Sequence, residues 1–130
     1  MLTNFRHGLV VLLVPLFLSG PAAYGQQKTV KDGIFTAEQV AAGQVVYDES
    51  CGTCHDMKFY ADIWEYWQDK PLLDFWFTIV AEMPAENPGV LRDSEYTDIV
   101  AYILSNRGYP SGDTPLDRNN GMDSISIVAP

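Results

Sequence analysis

Thiol and imidazole side chains are scarce in this 130-residue chain, which holds only two cysteines and two histidines. Three of these four residues fall within a single five-residue stretch, so no second Cys/His pair exists elsewhere. A structural zinc site needs about four ligands, which argues against zinc. A disulfide between the two cysteines would stabilise little, because the loop that it closes is so small.

Basic residues are also few, with eight Lys and Arg against 17 Asp and Glu. Nucleic acids and anionic membranes both bind proteins through basic patches, so this composition argues against either as a partner. An acidic surface suits a basic docking partner instead. An acidic face that serves only solubility is an equally good interpretation.

The sequence lacks an N-terminal hydrophobic run of about 20 residues, the length that is needed to span a bilayer. The mostly apolar stretch covers only 9–18, after Arg6 and His7 and before small residues at 23–25. This order is typical of a cleaved export signal, with an uncleaved anchor as the alternative. We therefore expect a signal peptide over 1–25 and one periplasmic domain over 26–130. Loss of Arg6 would leave seven basic residues against 17 acidic ones, a formal charge of −10.

The rest of the chain shows helical rather than strand periodicity. Thr36 and Gln39 have the spacing of a capping box, which predicts a helix from Thr36 to about Ser50. One stripe of this helix carries small or apolar residues at intervals of three and four, namely Val40, Gly43, Tyr47 and Cys51.

The middle of the chain is rich in aromatic residues. We predict a short irregular connection from His55 to Lys70. Pro71 then suits the first turn of a helix, and Pro84 ends that helix. Its predicted apolar face consists of Leu72, Trp76, Ile79 and Met83.

A last helix is predicted to begin at a cap formed by Asp93 or Ser94 and to end near Gly108. Its inward face is expected to carry Tyr96, Ile99, Val100 and Ile103. The tail over 111–130 shows little periodicity, and we expect an ordered wrap over the surface or a short strand.

The two cysteines form the motif Cys51-Gly52-Thr53-Cys54-His55. C-x-x-C-H is the attachment signature of c-type haem. Two thiols at this spacing can each form a thioether with one vinyl group of the porphyrin, and the next residue then projects its imidazole toward the iron. A thioredoxin-type dithiol is the competing interpretation, but the βαβ pattern that usually accompanies it is lacking. The motif predicts one covalently bound haem c, with His55 as an iron ligand.

The sixth iron ligand decides the function. Met57 is too close to His55 to reach the opposite face of the ring, and Met122 is more typical of an apolar plug. Met83 stands 28 residues after His55 and just before a proline, which favours it as the ligand. Alternatively, Met83 is only the last core residue of its helix. The sixth position would then be open, as in a gas sensor or a peroxidase.

Several residues together resemble the class I c-type cytochromes, in this order along the chain: Gly43, Tyr47, the CGTCH motif, Trp67, Met83-Pro84 and Ala101-Tyr102. The resemblance implies a small all-α fold of three to four helices around one haem. It also implies that the first and last helices cross, with Gly43 and Tyr47 against Ile99 and Tyr102.

The same resemblance implies an electron carrier rather than an enzyme, with Met83 on the iron and the indole of Trp67 on a haem propionate. Trp64 is the alternative candidate for the hydrogen bond to the propionate. The segments MPAENPGVL, AYILSNRGYPSG and SISIVAP are similar to exported cytochromes that accompany quinoprotein dehydrogenases. Many relatives have a proline soon after the histidine and a carbonyl that orients the imidazole. Here we expect that carbonyl within 59–63.

Overall fold

The computed structural model describes residues 26–130, so the predicted signal peptide over 1–25 lies outside the described residues. This part of the chain folds into four α-helices, α1 (Ala37–Ser50), α2 (Met57–Trp67), α3 (Leu72–Glu82) and α4 (Asp93–Asn106), followed by a short 3₁₀-helix (Met122–Ser124). Isolated bridges join Ser126 to Thr29 and to Pro71, and residues 26–130 contain no longer β-strand. The predicted all-α class is confirmed.

The capping box predicted at the start of α1 is present. The Thr36 hydroxyl accepts from the Gln39 backbone N–H, and the Gln39 side chain accepts from the Thr36 backbone N–H, both at 3.3 Å. At the other end, the Cys51 backbone N–H donates to the Tyr47 carbonyl at 2.8 Å. The cysteine motif therefore begins where α1 ends, as predicted.

The crossing of α1 and α4 brings two backbones into direct contact. A Cβ atom on Gly43 would lie 1.9 Å from the carbonyl oxygen of Asp98, so only glycine fits there. One turn later, the rings of Tyr47 and Tyr102 lie 5.3 Å apart between centroids. The predicted crossing is confirmed.

The start of α4 lies slightly before the predicted cap. The helix begins at Asp93, so Arg92 is its N-cap and the predicted caps Asp93 and Ser94 are already helical. The Glu95 carboxylate accepts from the Arg92 backbone N–H at 2.8 Å, which satisfies one of the free donors at this helix end.

The predicted irregular connection over 55–70 is wrong, because most of it forms α2. The Asp56 carboxylate accepts from the Phe59 backbone N–H at 3.1 Å and caps the helix. The helix buries Tyr60, Trp64 and Trp67 against the core. The Trp64 indole N–H also donates to the Tyr109 hydroxyl at 2.7 Å, which ties α2 to the segment after α4.

Helix α3 agrees with the prediction to within one residue. Pro71 is its N-cap rather than a residue of its first turn, and the helix ends at Glu82. The Trp76 indole N–H donates to the Thr97 hydroxyl of α4 at 3.1 Å. Its buried face consists of Leu72, Phe75, Trp76 and Ile79.

The tail over 111–130 is an ordered wrap over the surface that also inserts four side chains into the core, and of the predicted short strand only isolated bridges at Ser126 form. The Ser126 carbonyl accepts from the Val30 N–H at 3.0 Å, and the Ile127 N–H donates to the Lys70 carbonyl at 3.0 Å. The tail thus joins the N-terminal segment to the connection between α2 and α3. Its buried side chains are Leu116, Met122, Ile125 and Ile127.

Candidate cofactor site

A cavity of about 590 Å³ is lined by residues of α2 and α3. Protein cavities that hold cofactors and other small molecules typically measure about 300–1,000 Å³ and are mostly apolar. His55, Trp67 and Met83, which the sequence analysis singled out, all line this one cavity. Most of the remaining wall is aromatic or aliphatic, from Phe59, Tyr60, Ile63, Tyr66, Phe75 and Ile79.

Each long wall of the cavity is one stripe of a helix. Phe59, Ile63 and Tyr66 follow one another at intervals of four and three along α2, and residues at such intervals share a helix face. Phe75 and Ile79 form the matching stripe of α3. The α2 wall was not predicted from the sequence. Asp56 as a cap, followed by this apolar spacing, was the signal that could have revealed it.

The two cysteines lie on the turn that leads to His55. The backbone N–H groups of Cys54 and His55 both donate to the Cys51 carbonyl, at 3.1 and 3.0 Å. Cys51 is buried and Cys54 is exposed, and neither side chain lines the cavity. Burial raises the pKa of the Cys51 thiol. Redox dithiols depend on a thiol whose pKa is lowered, so this environment disfavours that interpretation.

The imidazole of His55 stacks against Phe59, with 4.6 Å between ring centroids. The expected carbonyl acceptor within 59–63 is wrong, because these residues lie inside α2. Helix carbonyls point toward the C-terminal end, and His55 precedes the N-terminal end. Within residues 26–130 the imidazole has no hydrogen-bond partner. The main chain of His55 has such a partner, since its carbonyl accepts from the Tyr47 hydroxyl at 2.7 Å.

Burial raises the pKa of Tyr47 to about 12. The ring is 3% exposed and lies within the core where α1 meets α4. At neutral pH the hydroxyl therefore stays protonated and remains a hydrogen-bond donor to the motif.

Met83 lies at the end of α3, with its side chain in the cavity wall. Its N–H donates to the Ile79 carbonyl at 2.9 Å, and its own carbonyl accepts from the Tyr96 hydroxyl at 2.7 Å. Among the methionines within residues 26–130, Met83 alone lines the cavity. Met122, in the 3₁₀-helix of the tail, is fully buried, in agreement with its interpretation as an apolar plug.

Trp67 and Trp64 have different environments. Trp67 lines the cavity, whereas the Trp64 indole N–H is already bonded to the Tyr109 hydroxyl. Near Trp67, the Lys70 ammonium lies 3.0 Å from the centroid of the Tyr66 ring and 5.2 Å from that of Trp67. A positive charge therefore lies beside the Trp67 end of the cavity, although Lys70 itself does not line it.

Three exposed carboxylates, from Asp62, Glu65 and Glu82, also line the cavity. Asp62 forms an ion pair with Lys58 at 2.5 Å, but both side chains are well exposed, so the pair is screened by water. Acidic groups therefore line part of the cavity, in a chain that carries more negative than positive charge.

One family profile matches residues 38–103, just over half of the chain, and the family is described as cytochrome C oxidase, cbb3-type, subunit III. The match includes nearly all of α1, the cysteine motif, both walls of the cavity and most of α4. No curated protein and no solved structure matches the chain. No helix within residues 26–130 has the length and apolar content that crossing a membrane requires.

Proposed function

The chain belongs to this family of c-type cytochromes, class I mono-haem proteins with covalently bound haem c, and on that premise we propose that it is a periplasmic electron carrier with His55 and Met83 as iron ligands. Haem-based electron transfer is the general function that the family supports. The finer proposal is a shuttle, rather than an enzyme, between an exported dehydrogenase and a respiratory acceptor.

The observation that carries this proposal is that His55 and Met83 line the same cavity. Bound haem supplies a one-electron Fe(III)/Fe(II) couple. An imidazole and a thioether that both bind the iron leave no position for a substrate. The soft thioether also favours Fe(II) and so raises the reduction potential. With haem bound, the apolar walls would limit the access of water and so lower the dielectric around the iron.

The proposed attachment uses thioethers to Cys51 and Cys54, whose spacing is that of the C-x-x-C-H signature. We assign the haem propionates to the end of the cavity near Trp67. The indole of Trp67 and the ammonium group of Lys70 favour an anionic group there, and Trp64 is already hydrogen-bonded elsewhere.

The proposed partner is a basic redox protein, with a quinoprotein dehydrogenase as the suggested donor. Support for a quinoprotein comes only from the sequence segments at the Met83-Pro84 loop, the end of α4 and the tail. Support for a partner with a basic docking face comes from the carboxylates of Asp62, Glu65 and Glu82 around the cavity. The periplasmic location depends on the signal peptide predicted over 1–25.

Met83→Ala tests the sixth ligand, using the holoprotein. We expect the oxidised variant to lose the near-infrared sulfur-to-iron charge-transfer band and to become high-spin or bind water. Its potential should fall because the soft donor has gone, and cyanide or carbon monoxide should bind quickly. Optical spectra, potentiometry and stopped-flow ligand binding measure these changes.

Met122→Ala is the matched control, since it removes a fully buried methionine that does not line the cavity. Both variants should lose about 2–5 kcal/mol of unfolding free energy from lost packing. Only Met83→Ala should change the spectrum and potential. If it changes neither, the sixth position is open or otherwise ligated, and a gas sensor or peroxidase becomes the better assignment.

Docking is tested by the salt dependence of the reaction with a basic redox partner. The rate should fall as ionic strength rises, since the Debye length shrinks from about 30 Å at 0.01 M to about 10 Å at 0.1 M. The Glu65→Gln/Glu82→Gln variant should flatten this dependence. Asp113→Asn/Asp123→Asn makes the same charge change outside the cavity and should flatten it less. Equal effects from both pairs would contradict a docking face at the cavity.

A further inference from the structure

The main chains of both proposed iron ligands are held by tyrosine hydroxyls. Tyr47 donates to the His55 carbonyl, and Tyr96 donates to the Met83 carbonyl, each at 2.7 Å. The two tyrosines are only 3% and 1% exposed, and the carbonyls that they reach belong to half-buried residues. One bond begins in α1 and the other begins in α4.

Both tyrosines lie next to the tightest contact between α1 and α4. Tyr47 follows Gly43 by one turn of α1, and Tyr96 precedes Asp98 by two residues in α4. A Cβ atom on Gly43 would meet the Asp98 carbonyl at 1.9 Å, so the two backbones touch. Because closely packed backbones resist displacement, the crossing fixes both hydroxyls relative to each other.

Each of the two carbonyls lies at a junction outside a helix. His55 precedes Asp56, the N-cap of α2, and Met83 is the C-cap of α3. The helices themselves therefore do not fix the orientation of these peptide groups. Among residues 26–130, the one other donor to the Met83 carbonyl is the Gly89 N–H, at a long 3.4 Å. The tyrosine hydroxyls therefore donate the short hydrogen bonds to both carbonyls.

We propose that Tyr47 and Tyr96 are positioning residues, and that the crossing of α1 and α4 sets the placement of the two iron ligands through these hydroxyls. The inference rests on the proposed function, since His55 and Met83 must be the ligands. The two hydroxyls have unequal importance. The His55 side would also be held by the attached cysteines next to it, whereas Met83 depends, apart from Tyr96, on α3 and the loop that follows.

Tyr96→Phe tests the Met83 side. The variant keeps the ring that packs edge-on against Trp76 at 6.3 Å and removes only the hydroxyl. We expect cyanide to bind the oxidised holoprotein about fivefold faster, the factor that one ordinary hydrogen bond contributes to an equilibrium constant. The sulfur-to-iron charge-transfer band should weaken in parallel.

Tyr47→Phe tests the His55 side. The orientation of the imidazole plane determines how the unpaired electron is distributed over the ring, and hence the order of the haem methyl resonances in the paramagnetic proton spectrum. We expect that order or its spread to change, while the cyanide rate stays close to that of the parent protein. A merely structural tyrosine would not shift these resonances.

Tyr102→Phe is the control for both variants. Its ring lies 5.3 Å from that of Tyr47, but its hydroxyl bonds to neither ligand carbonyl. If Tyr96→Phe and Tyr47→Phe change the ligand signals no more than Tyr102→Phe does, the inference is overturned while the proposed function stands. If the parent protein lacks the charge-transfer band, Met83 ligation fails, and the Tyr96 half of the inference fails with it.

Discussion

Replacement of both Cys51 and Cys54 by alanine is expected to give a protein that loses all of its haem to acidified organic solvent. The parent protein should keep its haem under the same treatment, because thioethers survive acid whereas iron–histidine coordination does not. The variant would hold the ring only through His55, Met83 and packing. Extraction followed by optical spectra of the two phases measures the result.

The single variants separate attachment from packing. Cys51 is buried in the core, so Cys51→Ala also removes a packed side chain. Cys54 is exposed, so Cys54→Ala leaves the core intact and should keep the haem through one remaining thioether. Haem that stays with the double variant after extraction would show that covalent attachment through these cysteines is wrong.

Gly43→Ala should destabilise the protein strongly despite the higher helix propensity of alanine. The new Cβ atom would lie 1.9 Å from the Asp98 oxygen and 2.4 Å from its carbonyl carbon. Backbone atoms cannot rotate away, so α1 and α4 must separate. Overpacking of this kind costs about 1–3 kcal/mol, and each kcal/mol lowers the Tm of a domain this size by about 4–8 °C.

Gln44→Ala is the matched control, since it places alanine at the next, exposed position of α1. Substitutions at such positions usually change the unfolding free energy by less than about 0.5 kcal/mol. Thermal unfolding of both variants measures the difference. A Gly43→Ala protein as stable as Gln44→Ala would contradict direct backbone contact between α1 and α4.

Local signals account for the elements that the sequence predicted correctly. The capping box of Thr36 and Gln39 lies within four residues, and Pro84 ends α3 by its own chemistry. Helix α2 was missed for a physical reason. Five of its eleven residues are aromatic, and aromatic side chains favour strands over helices, which masked the helical spacing of its apolar residues.

The site was predicted only in part, because only some of its residues carry local signals. His55 and Met83 were recognisable from their chemistry and from the residues beside them. The hydroxyls of Tyr47 and Tyr96 were not, because they reach carbonyls eight and 13 residues away only after α1 and α4 have crossed. The role of the tail was hidden as well, since its buried residues are widely spaced and only Ile125 and Ile127 alternate as in a strand.

The tail also fixes an order of events during folding. Ser126 bonds to the backbone of Lys28, and its hydroxyl accepts from Gln27 across 99 residues of chain. Contacts of such long sequence separation carry the largest loop-closure cost and form late. The cysteine motif at 51–55 is thus available while the α2–α3 connection is still untied from the N-terminal segment. Attachment of a cofactor at this motif would therefore not require the bonds of 125–127 to be in place.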